Sequence, residues 1–392
     1  MIDKISVQDC TLCGSCVNAC PTDAISFSKA YLDFCYPEIN AALCVRCGQC
    51  EKACPLLGAK KRPADGYPLA FAAKSDNEQI RLRSSSGGIF YELANQMLHD
   101  GGYICGAVFD GHFHVRHIVS NTRKDLFRMM GSKYAQSDMG YCYREIKEKL
   151  KAGEKVLFSG CPCQVAGLRT YLGEDYQNLL LVELICHGIP SDQMLQTYIS
   201  MQEKRYGAKL KRMEFRNKAK GWHNSSVRME FENGKTYLKP MTIDTYMQGY
   251  FRGVSLKEGC FSCKFRNFAS GGDLIIGDFW GSEIEVPDID DNKGISVVIA
   301  TTQKGDVFFR KTAIPCYRVE LINVLKYNQG VIKSFCMGSM RSDFYKYAKK
   351  YSLKEAIGLF FQEKTTQKVK RKIRYALHWA LHIVQGKGKP LY

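Results

Sequence analysis

Apolar and polar residues alternate in two different rhythms along the middle of the chain. Short apolar runs predict strands at LAFAAK, which begins at Leu69, at residues 101–110 (GGYICGAVFD), at KVLFSG and at NLLLVELICHG. Between these runs, apolar positions recur with helical spacing in Ser86–Leu98 and in Cys142–Lys151. Strands that alternate with helices in this way predict a mixed or parallel sheet covered by helices.

Further elements continue this pattern. The stretch KDLFRMMGSKYAQS predicts a helix and then a loop, and CQVAGLRTYLG predicts the start of another helix. The stretch SDQMLQTYISMQEKRYG predicts a helix with Ser191 as its N-cap. Strands are predicted at KRMEFRNK, DLIIGDFWG and GISVVIATT, and SVRMEFENGKTYLK predicts a hairpin that turns at Asn233 and Gly234.

The two ends of the chain differ from this middle part. The segment GAKKRPADGYP (58–68) has the glycine, proline and charge content of a linker, which separates the first 57 residues. Residues 364–392 carry eight Lys/Arg and no acid, with apolar residues at helical spacing. They predict a basic helical tail, which could lie on an anionic membrane surface, dock on the protein or contact another subunit.

Composition narrows the setting. With 392 residues, 45% of them hydrophobic, the chain can form two or three domains with packed cores. The start MIDKISVQDC lacks the features of a signal peptide, and no apolar run approaches a membrane span. Eighteen cysteines in such a chain favour reduced thiols, so we expect a cytoplasmic location. The net charge of +17 could attract several anionic partners, but no nucleic-acid-binding motif is recognised and no such partner is expected.

Two copies of the run C-x2-C-x2-C-x3-C-P lie within residues 10–55. This is the ligand pattern of a ferredoxin with two [4Fe–4S] clusters, in which the fourth cysteine of each run ligates the other cluster. A pair of zinc sites is the alternative, but it needs neither eight cysteines in this register nor the two prolines. We therefore expect a first set and a second set of ligands: Cys10, Cys13, Cys16 and Cys54, and then Cys20, Cys44, Cys47 and Cys50.

A third set of cysteines lies further along the chain. Cys163 and Cys186 follow apolar strands, and Cys260 and Cys263 form a CxxC pair. Because ligands gather at one edge of an open α/β sheet, these four could hold a third cluster. Scattered buried thiols are the alternative, and Cys161 competes with Cys163. The remaining cysteines have no partnering pattern and are interpreted as core or surface residues: Cys35, Cys105, Cys142, Cys316 and Cys336.

Several short motifs occur together in the order found in one known family. These motifs are SSSGGIF (84–90), GSKY (131–134), CPCQVAGL (161–168), CHGIPS (186–191), FRNKAKGW (215–222), CFSCKF (260–265), GGDLIIGDFWG (271–281) and DNKGIS (291–296). With them, the chain resembles the beta subunit of coenzyme F420 hydrogenase/dehydrogenase, with a ferredoxin segment in front, over roughly residues 1–310.

This resemblance implies an FAD enzyme with an iron–sulfur cluster near the flavin. The implied cluster ligands are Cys163, Cys186, Cys260 and Cys263, although many family members have Thr where this chain has Cys161. The implied flavin or substrate contacts are Ser86, Gly87, Gly88, Ser132 and Lys133.

Three of the residues in these motifs have more than one interpretation. Lys133 could add positive charge near the flavin or be a solvated lysine. His187 could donate a proton or be structural, and Asp278 could bind a ribose, position the cluster loop or cap a turn.

The fold class expected from these observations has three parts. An α+β ferredoxin-like two-cluster domain (1–60) precedes an α/β mixed-sheet flavin-binding region and a helical C-terminal tail (313–392). The middle region would comprise the N-terminal (69–150) and C-terminal (151–312) domains of the beta-subunit family.

The expected function is that of an iron–sulfur flavin-dependent oxidoreductase. It would pass electrons between its [4Fe–4S] clusters and a small-molecule hydride donor or acceptor, either an F420-like coenzyme or an organic substrate. A redox protein such as ferredoxin would be its partner. The alternative is a non-catalytic electron-transfer subunit that carries electrons between a partner enzyme and the ferredoxin pool. A zinc-bearing nucleic-acid-binding protein is favoured only by the positive charge.

Overall fold

The structure is a computed structural model that describes residues 2–58 and 68–362. The chain divides into two compact units, each formed from two segments. Of the described residues, the first unit comprises 2–58, 68–196 and 256–337, and the second comprises 197–255 and 338–362. No helix in the described residues is both long enough and apolar enough to span a membrane.

The strands, in chain order, are β1 (Ile25–Tyr31), β2 (Phe34–Ile39), β3 (Leu69–Ala73), β4 (Tyr103–Phe109), β5 (Val115–Ser120), β6 (Val156–Gly160), β7 (Leu179–Leu184), β8 (Leu210–Asn217), β9 (Ser226–Phe231), β10 (Thr236–Pro240), β11 (Leu274–Asp278), β12 (Ser296–Ala300) and β13 (Cys316–Val319).

The α-helices, in chain order, are α1 (Ser15–Ala19), α2 (Gln49–Ala53), α3 (Glu78–Arg83), α4 (Ile89–His99), α5 (Arg123–Met129), α6 (Cys142–Lys151), α7 (Pro162–Leu172), α8 (Asp192–Tyr206), α9 (Thr245–Phe251), α10 (Ser282–Glu285), α11 (Gln303–Lys311), α12 (Leu321–Tyr327), α13 (Arg341–Lys350) and α14 (Leu353–Phe361).

The N-terminal segment repeats one local structure twice around a hairpin. β1 and β2 pair antiparallel, and the short helices α1 and α2 lie on either side of them in the sequence. Each helix begins after a glycine in the left-handed region, Gly14 with φ 82° and Gly48 with φ 73°. Glycine adopts this conformation without steric cost, so each cysteine run can turn tightly before its helix. This is the ferredoxin-like region expected from the sequence.

A mixed eight-stranded sheet dominates the first unit. Its strand order is β13-β3-β12-β11-β7-β6-β4-β5. β4, β6, β7 and β11 run parallel to one another, whereas β12 runs antiparallel between β11 and β3. The strands β3, β6, β7 and β11 therefore all end at the same edge of the sheet. We call this edge the carboxyl edge, since ligands of open α/β sheets gather there.

Helices cover both faces of this sheet, as the alternation of apolar residues predicts. On β6, Leu157 belongs to the core under α4 and α5, and its neighbour Phe158 belongs to the core under α6 and α7. Both side chains are fully buried. Because successive side chains of a strand point to opposite faces, a strand buried on both sides is expected to be mainly apolar, as Val156, Leu157 and Phe158 of β6 are.

The second unit contains its own antiparallel sheet, in the order β10-β9-β8. The turn between β9 and β10 lies at Asn233 and Gly234, where the glycine has φ 78°, so the hairpin prediction is confirmed. Asp244 is completely buried and accepts hydrogen bonds from the hydroxyls of Tyr198 and Tyr237, both at 2.6 Å. Its other oxygen caps α9 through the Met247 amide at 3.0 Å.

Most element predictions agree with the structure. Helix α6 has the predicted bounds, Cys142–Lys151. Ser191 accepts a hydrogen bond from the Met194 amide at 2.9 Å, as an N-cap does, and its hydroxyl also donates to Asp33 at 2.6 Å. Strand β13 lies in the segment interpreted as a helical tail, and it pairs with β3. The predicted basic helix over residues 364–392 lies outside the described residues.

Candidate iron–sulfur and flavin site

The first set of ferredoxin cysteines lines one cavity. Cys10, Cys13, Cys16 and Cys54 border it together with Gly14, so the fourth cysteine of the second run lies with the first three of the first run. Burial is the main cause that raises the pKa of Cys10 to about 11, and the charges of Cys13 and Cys54 act in the same direction. Cys16 and Cys54 are buried, and Cys10 and Cys13 are partly buried. Four soft donors that repel one another as thiolates fit a cluster whose iron supplies the compensating charge.

The second set lines a separate cavity. Its members are Cys20, Cys44, Cys47 and Cys50. Cys47 is exposed, whereas Cys20 is buried and accepts a hydrogen bond from the Ala24 amide at 3.2 Å. The structure thus brings each set together in the crossed arrangement expected from the spacing.

The third set converges on the carboxyl edge of the large sheet. Cys161 and Cys163 lie between the end of β6 and the first turn of α7, and Cys186 follows β7, which runs parallel to β6. Cys260 and Cys263 come from the loop that leads to β11. A hydrogen bond from Cys161 lowers the pKa of Cys186. Burial raises the pKa of Cys163, and the charges of Cys263 and Cys186 act in the same direction. Thiols from three separate segments therefore meet, as a cluster requires.

The extra thiol leaves two candidates for one position. Cys161 forms a hydrogen bond with Cys186. Cys163 instead interacts electrostatically with Cys263 and Cys186 and also with Cys13 of the first set, and these charges help burial to raise its pKa. The Cys161 amide donates to the side chain of Gln164 at 2.9 Å, which fixes the start of α7. Cys163 is thus the member of the pair that faces the ferredoxin segment.

Basic residues flank the third set. Arg266 is buried, and its guanidinium donates to the carbonyls of Cys186 and Gly330. Arg266 and Lys257 both help to lower the pKa of Cys186, after the hydrogen bond from Cys161. A cluster with four thiolate ligands carries net negative charge, and nearby cations reduce the free-energy cost of burying it.

The ferredoxin segment is fixed to the same unit by polar contacts around its first loop. The Tyr143 hydroxyl lies 2.9 Å from the carbonyl of Cys13 and 2.8 Å from that of Gln164, the residue after Cys163. The Gln136 amide donates to the Leu12 carbonyl at 3.2 Å. The first and third sets are therefore neighbours, joined through α7 and the loop at 10–16.

The segments predicted to contact a flavin also meet at the carboxyl edge. The hydroxyls of Ser85 and Ser132 are 2.8 Å apart, which joins the SSSGGIF and GSKY motifs. Ser86 donates to the carbonyl of Ile295 at 2.7 Å. A Cβ on Gly87 would lie 2.6 Å from the carbonyl oxygen of Ala73 and 2.8 Å from the Ser296 amide nitrogen, so only glycine fits between β3 and β12.

Gly88, with φ 92°, is the N-cap of helix α4, and it has no side chain that could accept hydrogen bonds from the first amides of the helix. The amides at the start of this eleven-residue helix therefore resemble those that bind phosphates in many nucleotide sites.

Lys133 and His187 are more internal than expected. The Lys133 ammonium donates to the carbonyls of Met129 (3.1 Å), Met130 (2.9 Å) and Gly131 (3.1 Å), at the end of α5. Burial lowers its pKa to about 7, with a contribution from Arg128.

The His187 ring packs against Phe335 with centroids 3.8 Å apart, and burial lowers its pKa to about 4. Asp278 ends β11 beside β7, and its carbonyl accepts from Asn328 at 2.7 Å.

Comparison with known proteins now decides the family. The family model for the C terminus of the coenzyme F420 hydrogenase/dehydrogenase beta subunit matches residues 153–323, and the corresponding N-terminal model matches residues 70–142. The chain belongs to the coenzyme F420 hydrogenase/dehydrogenase beta-subunit family. A 4Fe-4S dicluster domain model matches residues 9–57, ahead of both beta-subunit segments.

Several solved structures also resemble the chain. A chain from the F420-reducing [NiFe] hydrogenase complex of Methanosarcina barkeri aligns with 18% identity and a TM-score of 0.45. The alignment covers 67% of this beta-subunit homologue and 89% of that chain. No curated protein matches the sequence.

Within this beta-subunit homologue, sequence reasoning missed several residues that shape the site. Lys257, Arg266 and Tyr143 contact the cysteine-bearing loops, and Gly167 packs on Cys13. A lysine and an arginine that bracket a CxxC pair are a signal that the sequence did offer. The contacts of Tyr143 and Gly167 with Cys13 join residues more than 120 positions apart and had no signal of their own.

Proposed function

We propose that this chain is an iron–sulfur flavin-dependent oxidoreductase that passes electrons between a small-molecule hydride donor or acceptor and a redox protein. Membership of the beta-subunit family and the dicluster domain place it among iron–sulfur redox proteins. In this proposal the chain also holds a third [4Fe–4S] cluster and an FAD, and its substrate is an F420-like coenzyme or an organic molecule.

One observation carries this proposal. Thiols from three separate segments converge at the carboxyl edge of the sheet, directly beside the first ferredoxin set. Helix α7 starts within the third set, and a Cβ on its Gly167 would come within 3.1 Å of the Cys13 sulfur. The second set has an exposed member, Cys47. The closeness of the third set to the first, and the exposure of Cys47 in the second, support electron transfer from the carboxyl edge to a partner at the surface.

A flavin would be held beside the third set by the two serine- and glycine-rich motifs. Ser86, Gly87, Gly88 and Ser132 lie at the carboxyl edge, and the N-terminus of α4 would accept a phosphate. A flavin can exchange either a hydride or single electrons, so it suits a junction between a hydride-type substrate and clusters. We propose Lys133 and His187 as polar residues near the reacting ring, with Asp278 as a further cofactor contact.

The test is the flavin content of the full chain, reconstituted with iron and sulfide under anaerobic conditions. We expect about one flavin per chain together with about twelve iron atoms, as three [4Fe–4S] clusters require. Ser132→Ala, which removes one hydroxyl of the Ser85–Ser132 pair, is expected to weaken flavin retention without loss of iron. Protein that holds its full iron but binds no flavin would contradict the proposal.

A second candidate is an electron-transfer subunit without a substrate of its own. It is favoured by the contacts of Lys133, whose ammonium is already used by three backbone carbonyls, and of Ser86, whose hydroxyl donates to Ile295. This function predicts the same iron content with no tightly held flavin. The same flavin measurement therefore separates the two candidates.

A further inference from the structure

A single buried lysine lies between the first and third cysteine sets. Lys257 is 1% exposed and belongs to the turn that precedes Cys260. Its ammonium donates to the carbonyl of Thr11, between Cys10 and Cys13, and lies 3.3 Å from the side-chain oxygen of Gln136. Its hydrogen-bond partners thus come from the ferredoxin loop and from the α/β region of the same unit.

In the part of the chain that the structure describes, this buried cation forms no ion pair with a carboxylate. Among residues 2–58 and 68–362, no Asp or Glu oxygen lies within ion-pair distance of the Lys257 ammonium. An isolated ammonium is costly to bury, so it must be compensated by something else nearby. Burial acts to lower the pKa of Lys257, but the charges of Cys260, Cys163, Cys10 and Cys13 outweigh it, and the net shift is upward.

These four cysteines belong to two different sets. Cys10 and Cys13 are members of the first set, and Cys163 and Cys260 are members of the third. Lys257 reaches the first set through the Thr11 carbonyl, and it precedes Cys260 of the third set by three residues. The lysine therefore stabilises negative charge on both sides.

Close packing holds the lysine at this junction. A Cβ on Gly259, two residues after Lys257, would lie 2.9 Å from the Gln8 carbonyl oxygen and 3.0 Å from that of Asp9. The turn is thus pressed directly against the ferredoxin loop. The second set lies in a different cavity, and none of the residues that line it is a hydrogen-bond partner of Lys257.

We propose that Lys257 is a shared electrostatic element that raises the reduction potentials of the first-set and third-set clusters relative to the second-set cluster. An added electron makes a cluster more negative, and a nearby buried cation stabilises that reduced state. Electrons are then held on the two inner clusters until a partner takes them from the second. This positioning role rests on the function proposed above, since it requires a cluster on the third set.

The test is a redox titration of the reconstituted full chain, followed by electron paramagnetic resonance. Lys257→Gln removes the charge but keeps a donor for the Thr11 carbonyl, and Lys257→Arg keeps the charge. Lys264→Met is the matched control, because this lysine is adjacent to Cys263 but exposed to solvent. In Lys257→Gln, we expect two of the three reduction equilibria to shift about tenfold toward the oxidised state, about 59 mV for one electron.

The remaining outcomes decide the proposal. The second-set cluster of Lys257→Gln, and every cluster of Lys257→Arg and Lys264→Met, should keep the wild-type potential. Three unchanged potentials in Lys257→Gln, or three equal shifts, would overturn the proposal. Lys257→Met is a second variant without the charge. Loss of iron from both Lys257→Gln and Lys257→Met would also overturn the proposal, because the lysine would then hold the site together rather than set its potentials. About eight iron atoms in the wild-type chain would instead contradict the proposed third cluster, before any variant is compared.

Discussion

Replacing Gly167 by alanine tests the contact between helix α7 and the ferredoxin loop. A Cβ at this position would lie 2.6 Å from the Ser15 hydroxyl oxygen and 3.1 Å from both Cβ and Sγ of Cys13. The serine can rotate away, but a Cys13 that ligates a cluster cannot. Alanine in a helix interior stabilises by about 1 kcal/mol relative to glycine. Overpacking of a tight contact costs about 1–3 kcal/mol, so we expect Gly167→Ala to be neutral or destabilising by up to about 2 kcal/mol.

A matched substitution isolates the contact. Gly358 lies within α14, and the nearest atom to an added Cβ would be a Gln362 side-chain nitrogen at 3.9 Å. Gly358→Ala should therefore raise the free energy of unfolding by about 1 kcal/mol, with no cost from overpacking. The assay is anaerobic urea unfolding, with cluster absorbance followed for the first unit and far-UV circular dichroism for the whole chain. Gly167→Ala should also lose iron to a chelator faster than the wild type. If it stabilises as much as Gly358→Ala and keeps its iron, the proposed contact between α7 and Cys13 is wrong.

Three further predictions address individual side chains. Cys163→Ser should lose about four iron atoms per chain and Cys161→Ser none, by iron analysis; the opposite result would assign the ligand to Cys161. Burial lowers the pKa of His117 to about 4, so the unfolded chain binds its proton first and stability falls from pH 6.5 toward pH 4. In urea unfolding, the free energy of unfolding of His117→Gln should fall by up to about 3 kcal/mol less than that of the wild type over this pH range. An unchanged pH dependence would contradict this. Lys133→Met should lower the unfolding temperature, since three carbonyls lose their donor; a loss of flavin with unchanged stability would instead favour the cofactor role.

Local patterns predicted the ferredoxin segment well, for a physical reason. The turn at Gly14 and the following helix are determined by neighbouring residues, and the spacing of Cys10, Cys13 and Cys16 is itself the geometry of a cluster loop. The same holds for α6, whose apolar face is visible in its periodicity. Placement of Cys163 and Cys186 at one sheet edge also followed, because parallel strands end together.

Contacts between distant segments could not be predicted in this way. Strand β13 lies in a segment with mixed polarity, and only its pairing with β3, more than 240 residues earlier, makes it a strand. The motif GSKY indicated a cofactor contact at Lys133. In the structure, the Lys133 ammonium instead donates hydrogen bonds to backbone carbonyls at the end of α5. The position of Lys257 depends on the docking of the ferredoxin loop, which no local pattern encodes.

The most direct test of the central claim is iron analysis of the anaerobically reconstituted chain and of one double variant. The account predicts about twelve iron atoms per wild-type chain and about eight when Cys260 and Cys263 are both replaced by serine. Cys336→Ser, which replaces an exposed cysteine outside all three sets, should keep the wild-type content. About eight iron atoms in the wild type, unchanged by the double substitution, would contradict a cluster on the third set.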